Sequence, residues 1–163
     1  MGGGQSKCTF EGKLHNGLQE HLPTDTWKYL TRPEGVSLEN IYYCQNINNN
    51  HHFLIIELVK DDKYYNIRAE KFGHPTPGTY LQWVNDTTDV AARNESKVTT
   101  LRCGGKRVQL PWLVNILERL SPLYNYVCEN CWDFAQDAAK TLVKNLPDSS
   151  SSEKQDLLHQ IPF

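Results

Sequence analysis

The segment from His52 to Val59 constrains the fold more than any other part of this chain. It reads His-Phe-Leu-Ile-Ile-Glu-Leu-Val, a run of β-branched and apolar residues of strand length. The polar turn Asp61-Asp62-Lys63 follows it, and Tyr64 to Glu70 has the character of a partner strand. The two runs therefore predict an antiparallel hairpin. Thr79 to Val84 predicts a further strand.

Two helices are predicted in the C-terminal half of the chain. Gly104-Gly105 breaks the chain before a helix that begins near Pro111, since proline suits the first helical position. A later helix carries small and apolar side chains at helical spacing: Phe134, Ala135, Ala138, Ala139, Leu142 and Val143. Its alanines allow close packing, so we expect an α+β fold in which a small antiparallel sheet packs against this helix. Ser37 to Cys44 is interpreted as a further helical stretch.

The chain length of 163 residues suits one domain that buries a core without disulfide bonds. Residues 1–8 are glycine-rich and predicted to be flexible, and residues 9–146 form the domain. Residues 147–163 begin with a proline, are rich in serine and are predicted to be a disordered tail. This tail contains Glu153-Lys-Gln-Asp-Leu157-Leu158, which has the form of an acidic dileucine sorting signal.

Composition excludes several classes of protein. The hydrophobic fraction is 39% and the formal net charge is −2, with scattered basic residues, so nothing indicates nucleic-acid binding. No apolar run approaches the roughly 20 residues that cross a bilayer, and no apolar stretch follows the N-terminal MGGGQSK. We therefore expect a globular protein of the cytosol.

The five cysteines are Cys8, Cys44, Cys103, Cys128 and Cys131. An odd number in a reducing compartment argues against a disulfide framework. Metal binding, redox chemistry, lipidation, nucleophilic catalysis and simple burial remain as roles.

Cys131 has the setting of a nucleophile. Asn130 is a favoured N-cap residue and Asp133 lies at the third helical position, which puts Cys131 at the first. Backbone N–H groups and the positive end of the helix dipole converge there, which lowers the pKa of a thiol and can stabilise an oxyanion. A packed small residue is the plainer alternative for a cysteine in this position.

The spacing Cys128-Glu-Asn-Cys131 also permits a redox pair or part of a zinc site. A zinc site needs about four ligands, and the remaining cysteines and histidines have no ligand-like spacing. We therefore expect no metal and no cofactor.

A neutral histidine is the usual base for such a thiol. His51 and His52 point to opposite faces of their strand because strand side chains alternate. His52 shares its face with Leu54, Ile56 and Leu58, the side expected to meet the helix. His52 is therefore the predicted base, and its neighbour His51 is the alternative.

These segments resemble the lecithin:retinol acyltransferase-like family. His52-Phe-Leu-Ile-Ile is similar to its His-Trp-Ala-Ile-Tyr strand, and Cys128-Glu-Asn-Cys131-Trp-Asp-Phe134 is similar to its Asn-Cys-Glu-His-Phe box. Leu110 to Tyr124 resembles the helix and tyrosine before that box, so the similar segments span roughly residues 50–145. The resemblance implies a circularly permuted papain-like fold, and phospholipase or acyltransferase chemistry through an acyl-thioester on Cys131.

The chain departs from the family pattern at two places. The family has a second histidine on the partner strand, where this chain has Asn66, Arg68 and Glu70 on one face. Any of the three could orient the base, and Asn66 and Glu70 are the residues we favour, asparagine by analogy with Cys-His-Asn enzymes. Trp132-Asp133 replaces the Glu-His of the box. These changes bear on the substrate class more than on the fold.

The N-terminal sequence MGGGQSK fits the N-myristoylation pattern, with acylation at Gly2. A single myristoyl chain binds membranes only marginally, and palmitoylation of Cys8 would supply the second signal that stable anchoring needs. We therefore expect the protein on the cytosolic face of a membrane.

Together these features predict a membrane-associated thiol acyltransferase or phospholipase-type acyl hydrolase in which His52 deprotonates Cys131. The expected partners are a lipid or other acyl donor and the membrane surface. Two alternatives stay open, a cysteine peptidase or isopeptidase and a non-catalytic interaction domain that retains the fold.

Overall fold

A computed structural model of the chain describes residues 9–11, 13–72, 78–85, 94–120, 123–125 and 131–162. Within these ranges the chain forms eight strands and four helices, so the α+β class is confirmed. The strands are β1 (Thr9–Glu11), β2 (Lys13–Asn16), β3 (Val36–Asn46), β4 (His52–Lys60), β5 (Lys63–Phe72), β6 (Gly78–Val84), β7 (Ser96–Val108) and β8 (Leu123–Asn125). The helices are α1 (Thr24–Leu30), α2 (Leu110–Glu118), α3 (Cys131–Lys144) and α4 (Ser151–Gln160). The predictions for Gly2, Cys8, Cys128 and Asn130 lie outside the described residues.

One six-stranded sheet forms the centre of the domain. Its strand order is β2-β6-β5-β4-β3-β7. The five strands from β6 to β7 are antiparallel to their neighbours, and β2 joins the β6 edge in parallel. β1 and β8 form a separate antiparallel pair. The predicted small antiparallel sheet is therefore present, with one parallel strand added at its edge.

The β4–β5 hairpin was predicted and is confirmed. Lys60 pairs with Lys63, so the loop contains only Asp61 and Asp62. Both aspartates have positive φ, 48° and 62°, which is the geometry of a two-residue type I′ turn that follows the twist of the flanking strands. This turn fixes a register in which Phe53 lies opposite Glu70.

Helix α3 packs on one face of the sheet, as its alanine spacing predicted. Its buried side chains are Phe134, Ala135, Ala138, Ala139, Leu142 and Val143. They join one apolar core with Leu54, Ile56 and Leu58 of β4. The alanines are fully buried, so the helix backbone lies close to the strands and its first residue has a fixed position at the sheet.

The segment Ser37–Cys44 is a strand within β3, and the helical interpretation of this segment is wrong. β3 pairs with β4 on one side and β7 on the other. Aromatic and β-branched residues such as Ile41, Tyr42 and Tyr43 suit this central position, where sheet pairing outweighs weak helical spacing. Gly104-Gly105 does not break the chain either, because β7 continues through both glycines with φ of 74° and 70°.

Residues 147–162 are ordered, although the serine-rich composition predicted disorder. Ser150 caps α4 by accepting a hydrogen bond from the Glu153 backbone N–H at 3.1 Å. Leu157 and Ile161 are buried in the main core, at 7% and 1% exposure. The apolar residues at the end of the segment supply the burial that composition alone did not reveal. One leucine of the dileucine sequence is therefore a core residue. None of the helices within the described ranges is long and apolar enough to cross a bilayer.

Candidate active site

The first turn of α3 lies against the three residues that lead into β4. The Trp132 indole N–H donates to the backbone oxygen of Asn50 at 3.0 Å. The Cys131 thiol is hydrogen-bonded to the His51 side chain and to the backbone N–H of His52. Cys131 as a residue is partly exposed, whereas Cys44 and Cys103 are buried.

The His51 ring connects this thiol to a carboxylate. His51 Nε2 lies 2.9 Å from Glu70 Oε1, and since a carboxylate only accepts, Nε2–H is the donor. That leaves Nδ1 as the nitrogen that faces Cys131. The ring stacks on Phe72, with centroids 4.7 Å apart, and on Phe53 at 5.8 Å. These contacts define both the tautomer and the plane of the imidazole.

Glu70 is the buried end of the hydrogen-bonded series Cys131–His51–Glu70. It is 1% exposed, and burial of a carboxylate is costly unless its oxygens are paired. Arg68 donates to it through Nε at 2.8 Å and Nη2 at 3.0 Å, and the Gln82 amide donates at 3.3 Å. With His51, four hydrogen bonds reach the two oxygens. Arg68 is itself held over the Phe53 ring, 3.9 Å from its centroid.

The electrostatics of the site favour a thiolate–imidazolium pair. Burial raises the pKa of Cys131, but the hydrogen bonds from His51 and the His52 backbone outweigh it, so the thiol pKa is lowered overall. Burial lowers the pKa of His51, yet its hydrogen bonds to Cys131 and Glu70 raise that pKa to about 9. Both shifts favour the state in which the proton resides on His51 and the negative charge on Cys131.

Glu70 remains ionised beside this pair. Burial raises the pKa of its carboxyl group, but the hydrogen bond from His51 and the charge of Arg68 lower that pKa overall. A negative Glu70 thus stabilises the positive imidazolium of His51 and fixes its orientation.

The structure brings the side chain of His51, and not that of His52, to the thiol. Strand alternation places His52 on the side of α3, as predicted, but the side chain that stacks on it is Trp132, with ring centroids 5.0 Å apart. His52 Nδ1 is hydrogen-bonded to the Tyr43 hydroxyl at 2.7 Å. Burial and the neighbouring charge of His51 lower the pKa of His52. The prediction assigned each histidine to a face of the strand. Cys131, however, lies beside the residues that lead into β4, where the His51 side chain reaches its thiol.

Of the residues expected to orient the base, only Glu70 contacts His51 among the hydrogen bonds described. Asn66 lies opposite Glu57, four residues before Glu70 and so roughly 13 Å away along the strand. Arg68 contacts the carboxylate of Glu70. The contributions of Tyr43, Phe72 and Gln82 were missed. The two-residue turn was the available signal, since its register places Phe72 and Glu70 on the His51 face.

The other described cysteines lack this environment. Cys44 and Cys103 are both buried, and burial raises the pKa of Cys103 to about 12. Within the ranges that the structure describes, no group of three or more His, Cys, Asp or Glu residues could hold a metal ion.

A polar cavity of about 450 Å³ adjoins the buried end of the series. Gln82 lines it and also donates to Glu70. Tyr80 lines it and packs edge-on against Phe72, the ring that covers His51. The remaining lining includes Asn16, Glu20 and His21, so the cavity suits a polar group rather than an acyl chain.

Comparison with models of known protein families, with curated proteins and with solved structures finds no match to this chain.

Proposed function

We propose that this chain is a membrane-associated thiol acyltransferase or acyl hydrolase that works through an acyl-thioester on Cys131. The observation that carries the proposal is the hydrogen-bonded series Cys131–His51–Glu70, in which the thiol of a partly exposed cysteine meets an imidazole held by a buried carboxylate. A nucleophile, a base and a residue that orients the base are the parts that thiol acyl transfer requires.

The reaction would proceed in two stages. The Cys131 thiolate attacks the carbonyl carbon of an ester or amide, and the carbonyl electron pair moves to oxygen. Backbone N–H groups at the start of α3 are the donors for this oxyanion. The oxyanion collapses, the His51 imidazolium protonates the leaving oxygen or nitrogen, and the acyl group remains on sulfur. Neutral His51 then accepts a proton from water or an amine as that molecule attacks the thioester and releases Cys131.

Glu70 would act through His51 in both stages. Its hydrogen bond to Nε2 keeps Nδ1 directed at the sulfur. Its negative charge stabilises the imidazolium each time the ring takes up a proton. Arg68 and Gln82 keep the carboxylate ionised and in position.

The resemblance to lecithin:retinol acyltransferase-like proteins supports this chemistry. Here Glu70 lies on the partner strand where that family carries its second histidine, so a carboxylate would take the orienting role. The histidine strand also precedes the cysteine helix in the chain. We extend the proposal to the circularly permuted papain-like arrangement that the resemblance implies.

A lipid acyl donor is the substrate that the N-terminal sequence favours. Myristoylation at Gly2 and palmitoylation at Cys8 would hold the domain on the cytosolic face of a membrane. A second candidate is a peptidase or isopeptidase, and the polar cavity beside Gln82 is the observation that favours it.

Trapping the acyl-enzyme tests the proposal. Purified protein would be mixed with p-nitrophenyl esters of increasing chain length, and the adduct located by peptide mass spectrometry. We expect one acyl group on Cys131 in the wild type and none on that residue in Cys131→Ala. Cys103→Ala is the matched control and should still be acylated at Cys131, because Cys103 is buried away from the site.

Substrate profiling then separates the two candidates. Release of fatty acid from phospholipid vesicles supports the lipid enzyme, and cleavage of a peptide or isopeptide library supports the peptidase. If no activated ester acylates Cys131 and its alkylation follows an ordinary thiol pKa, the enzymatic proposal fails and a non-catalytic domain is the better description.

A further inference from the structure

The side chain of His52 has no role in the mechanism above, although it is buried beside the nucleophile. Its exposure is 4%, and its ring is enclosed by two aromatic side chains. Trp132 stacks on it at 5.0 Å, and Tyr43 meets it edge-on at 5.5 Å with an interplanar angle of 83°. A buried histidine held this firmly one residue from the base needs a physical explanation.

The hydrogen bonds of the ring define its protonation. Gln45 Nε2 lies 3.4 Å from His52 Nε2, and an amide nitrogen only donates, so His52 Nε2 is the acceptor. Nδ1–H then donates to the Tyr43 hydroxyl at 2.7 Å. The ring is a neutral tautomer with both nitrogens engaged, which leaves neither to take a proton from the thiol.

The backbone of His52 is what reaches the nucleophile. Its N–H donates to the Cys131 sulfur, beside the bond from the His51 ring. The His52 ring stacks on Trp132, which follows Cys131 in the chain and donates a hydrogen bond to the backbone oxygen of Asn50. Displacement of the His52 ring would therefore move the donor N–H and the first turn of α3 together.

We infer that His52 is a positioning residue, held by Tyr43 and Gln45, whose backbone N–H and ring fix the Cys131 sulfur in line with His51. This inference rests on the proposed function, since it concerns the same nucleophile. His52 touches no reacting atom with its side chain, so its effect is expected in the ionisation of the thiol and not in proton transfer.

Alkylation of Cys131 by iodoacetamide as a function of pH is the test, followed at the peptide level by mass spectrometry in the full chain. We expect His52→Ala to raise the thiol pKa by about one unit, so that alkylation below that pKa slows about tenfold. His52→Gln restores a side chain that can form a hydrogen bond with Tyr43. It should therefore return the thiol pKa of Cys131 most of the way to its wild-type value. Glutamine is not a base near neutral pH, so this rescue distinguishes positioning from proton transfer.

Tyr43→Phe is the milder second variant if His52→Ala does not fold. It removes one hydroxyl and keeps the buried ring, and a smaller rise of the thiol pKa in the same direction is expected. A purely structural role would lower the melting temperature of these variants and leave the thiol pKa of the folded protein unchanged.

Two outcomes overturn the inference, and they differ in what else they affect. If His52→Ala and Tyr43→Phe keep the wild-type thiol pKa, His52 has no positioning role and the proposed function stands. If His52→Gln loses the low thiol pKa as fully as His51→Gln does, His52 is the base, and the assignment of His51 fails with the inference.

Discussion

Replacement of Glu70 by glutamine is the sharpest test of the electrostatics of this site. The substitution keeps the shape of the side chain and removes its charge. In the wild type, the pKa of His51 is raised to about 9 by its bonds to Cys131 and Glu70. Glutamine can still bond the ring, but it cannot stabilise the imidazolium by charge.

The size of the effect follows from the 2.9 Å contact between His51 Nε2 and Glu70 Oε1. A hydrogen bond to a charged group contributes about 1.5–3 kcal/mol. One pKa unit corresponds to about 1.4 kcal/mol, so the pKa of His51 should fall by about 1–2 units in Glu70→Gln. The charge on His51 stabilises the thiolate of Cys131. Because His51 would lose its proton at a lower pH in Glu70→Gln, the upper pH limit of the ion pair falls.

Nitrogen NMR of histidine-labelled protein measures this directly, with the His51 signal assigned from His51→Gln. Glu57→Gln is the matched control, because Glu57 lies on the neighbouring strand β4 and bonds Asn40 at 2.9 Å and Tyr42 at 3.1 Å, away from His51. The reasoning is refuted if wild-type His51 titrates near 6.5, or if Glu70→Gln leaves its pKa within a few tenths of a unit.

Three further predictions concern stability and membrane binding. The pKa of Glu70 is lowered in the folded chain, so its stabilising contribution is present above the unfolded value of 4.5 and is lost as pH falls through the folded value. In urea unfolding between pH 3 and 6, the free energy of unfolding should therefore fall less steeply with decreasing pH in Glu70→Gln than in the wild type. Equal pH slopes in the two proteins would contradict this. Ser150→Ala should lower the free energy of unfolding by about 1 kcal/mol through loss of the α4 cap. Leu157→Ala should lower it by about 2–3 kcal/mol through loss of core contacts. Unchanged urea midpoints would show that α4 adds nothing to the stability of the domain. Gly2→Ala should release the protein from membranes in a flotation assay, and unchanged partition would exclude a myristoyl anchor.

The hairpin and the cysteine helix could be predicted because local composition decides them. A run such as His52–Val59 has few alternatives to a strand, and the alanines of α3 need a close partner. The interpretation of β3 failed because its position between β4 and β7 is a tertiary property that the segment itself does not carry. The order of α4 depends likewise on burial of Leu157 and Ile161, which no local pattern of serines reveals.

Two members of the candidate site, Cys131 and Glu70, were named from the sequence, whereas Tyr43, Phe72 and Gln82 were not. Cys131 follows from its place at a helix start, and Glu70 was among the residues favoured to orient the base. The choice between His51 and His52 depended on which of them the first turn of α3 meets, and that is set by packing between distant parts of the chain. Counting the register outward from the Asp61-Asp62 turn would have placed Glu70 on the same face of the sheet as His51. It would not have shown that the Cys131 thiol lies beside His51.

The Cys131–His51 pair has a consequence for how the folded chain exchanges protons with water. His51 alone would contribute stability below pH 6.5 that is lost as pH rises to about 9. Cys131 alone would contribute stability above pH 9.0 that is lost as pH falls through its lowered folded value. Where these two pH windows overlap, the two slopes oppose each other, since the ion pair of the folded chain and the unfolded pair then each bind one proton. The ion pair therefore adds little pH dependence to a denaturation curve within that overlap, and a slope emerges there when one partner is removed, as in Cys131→Ser.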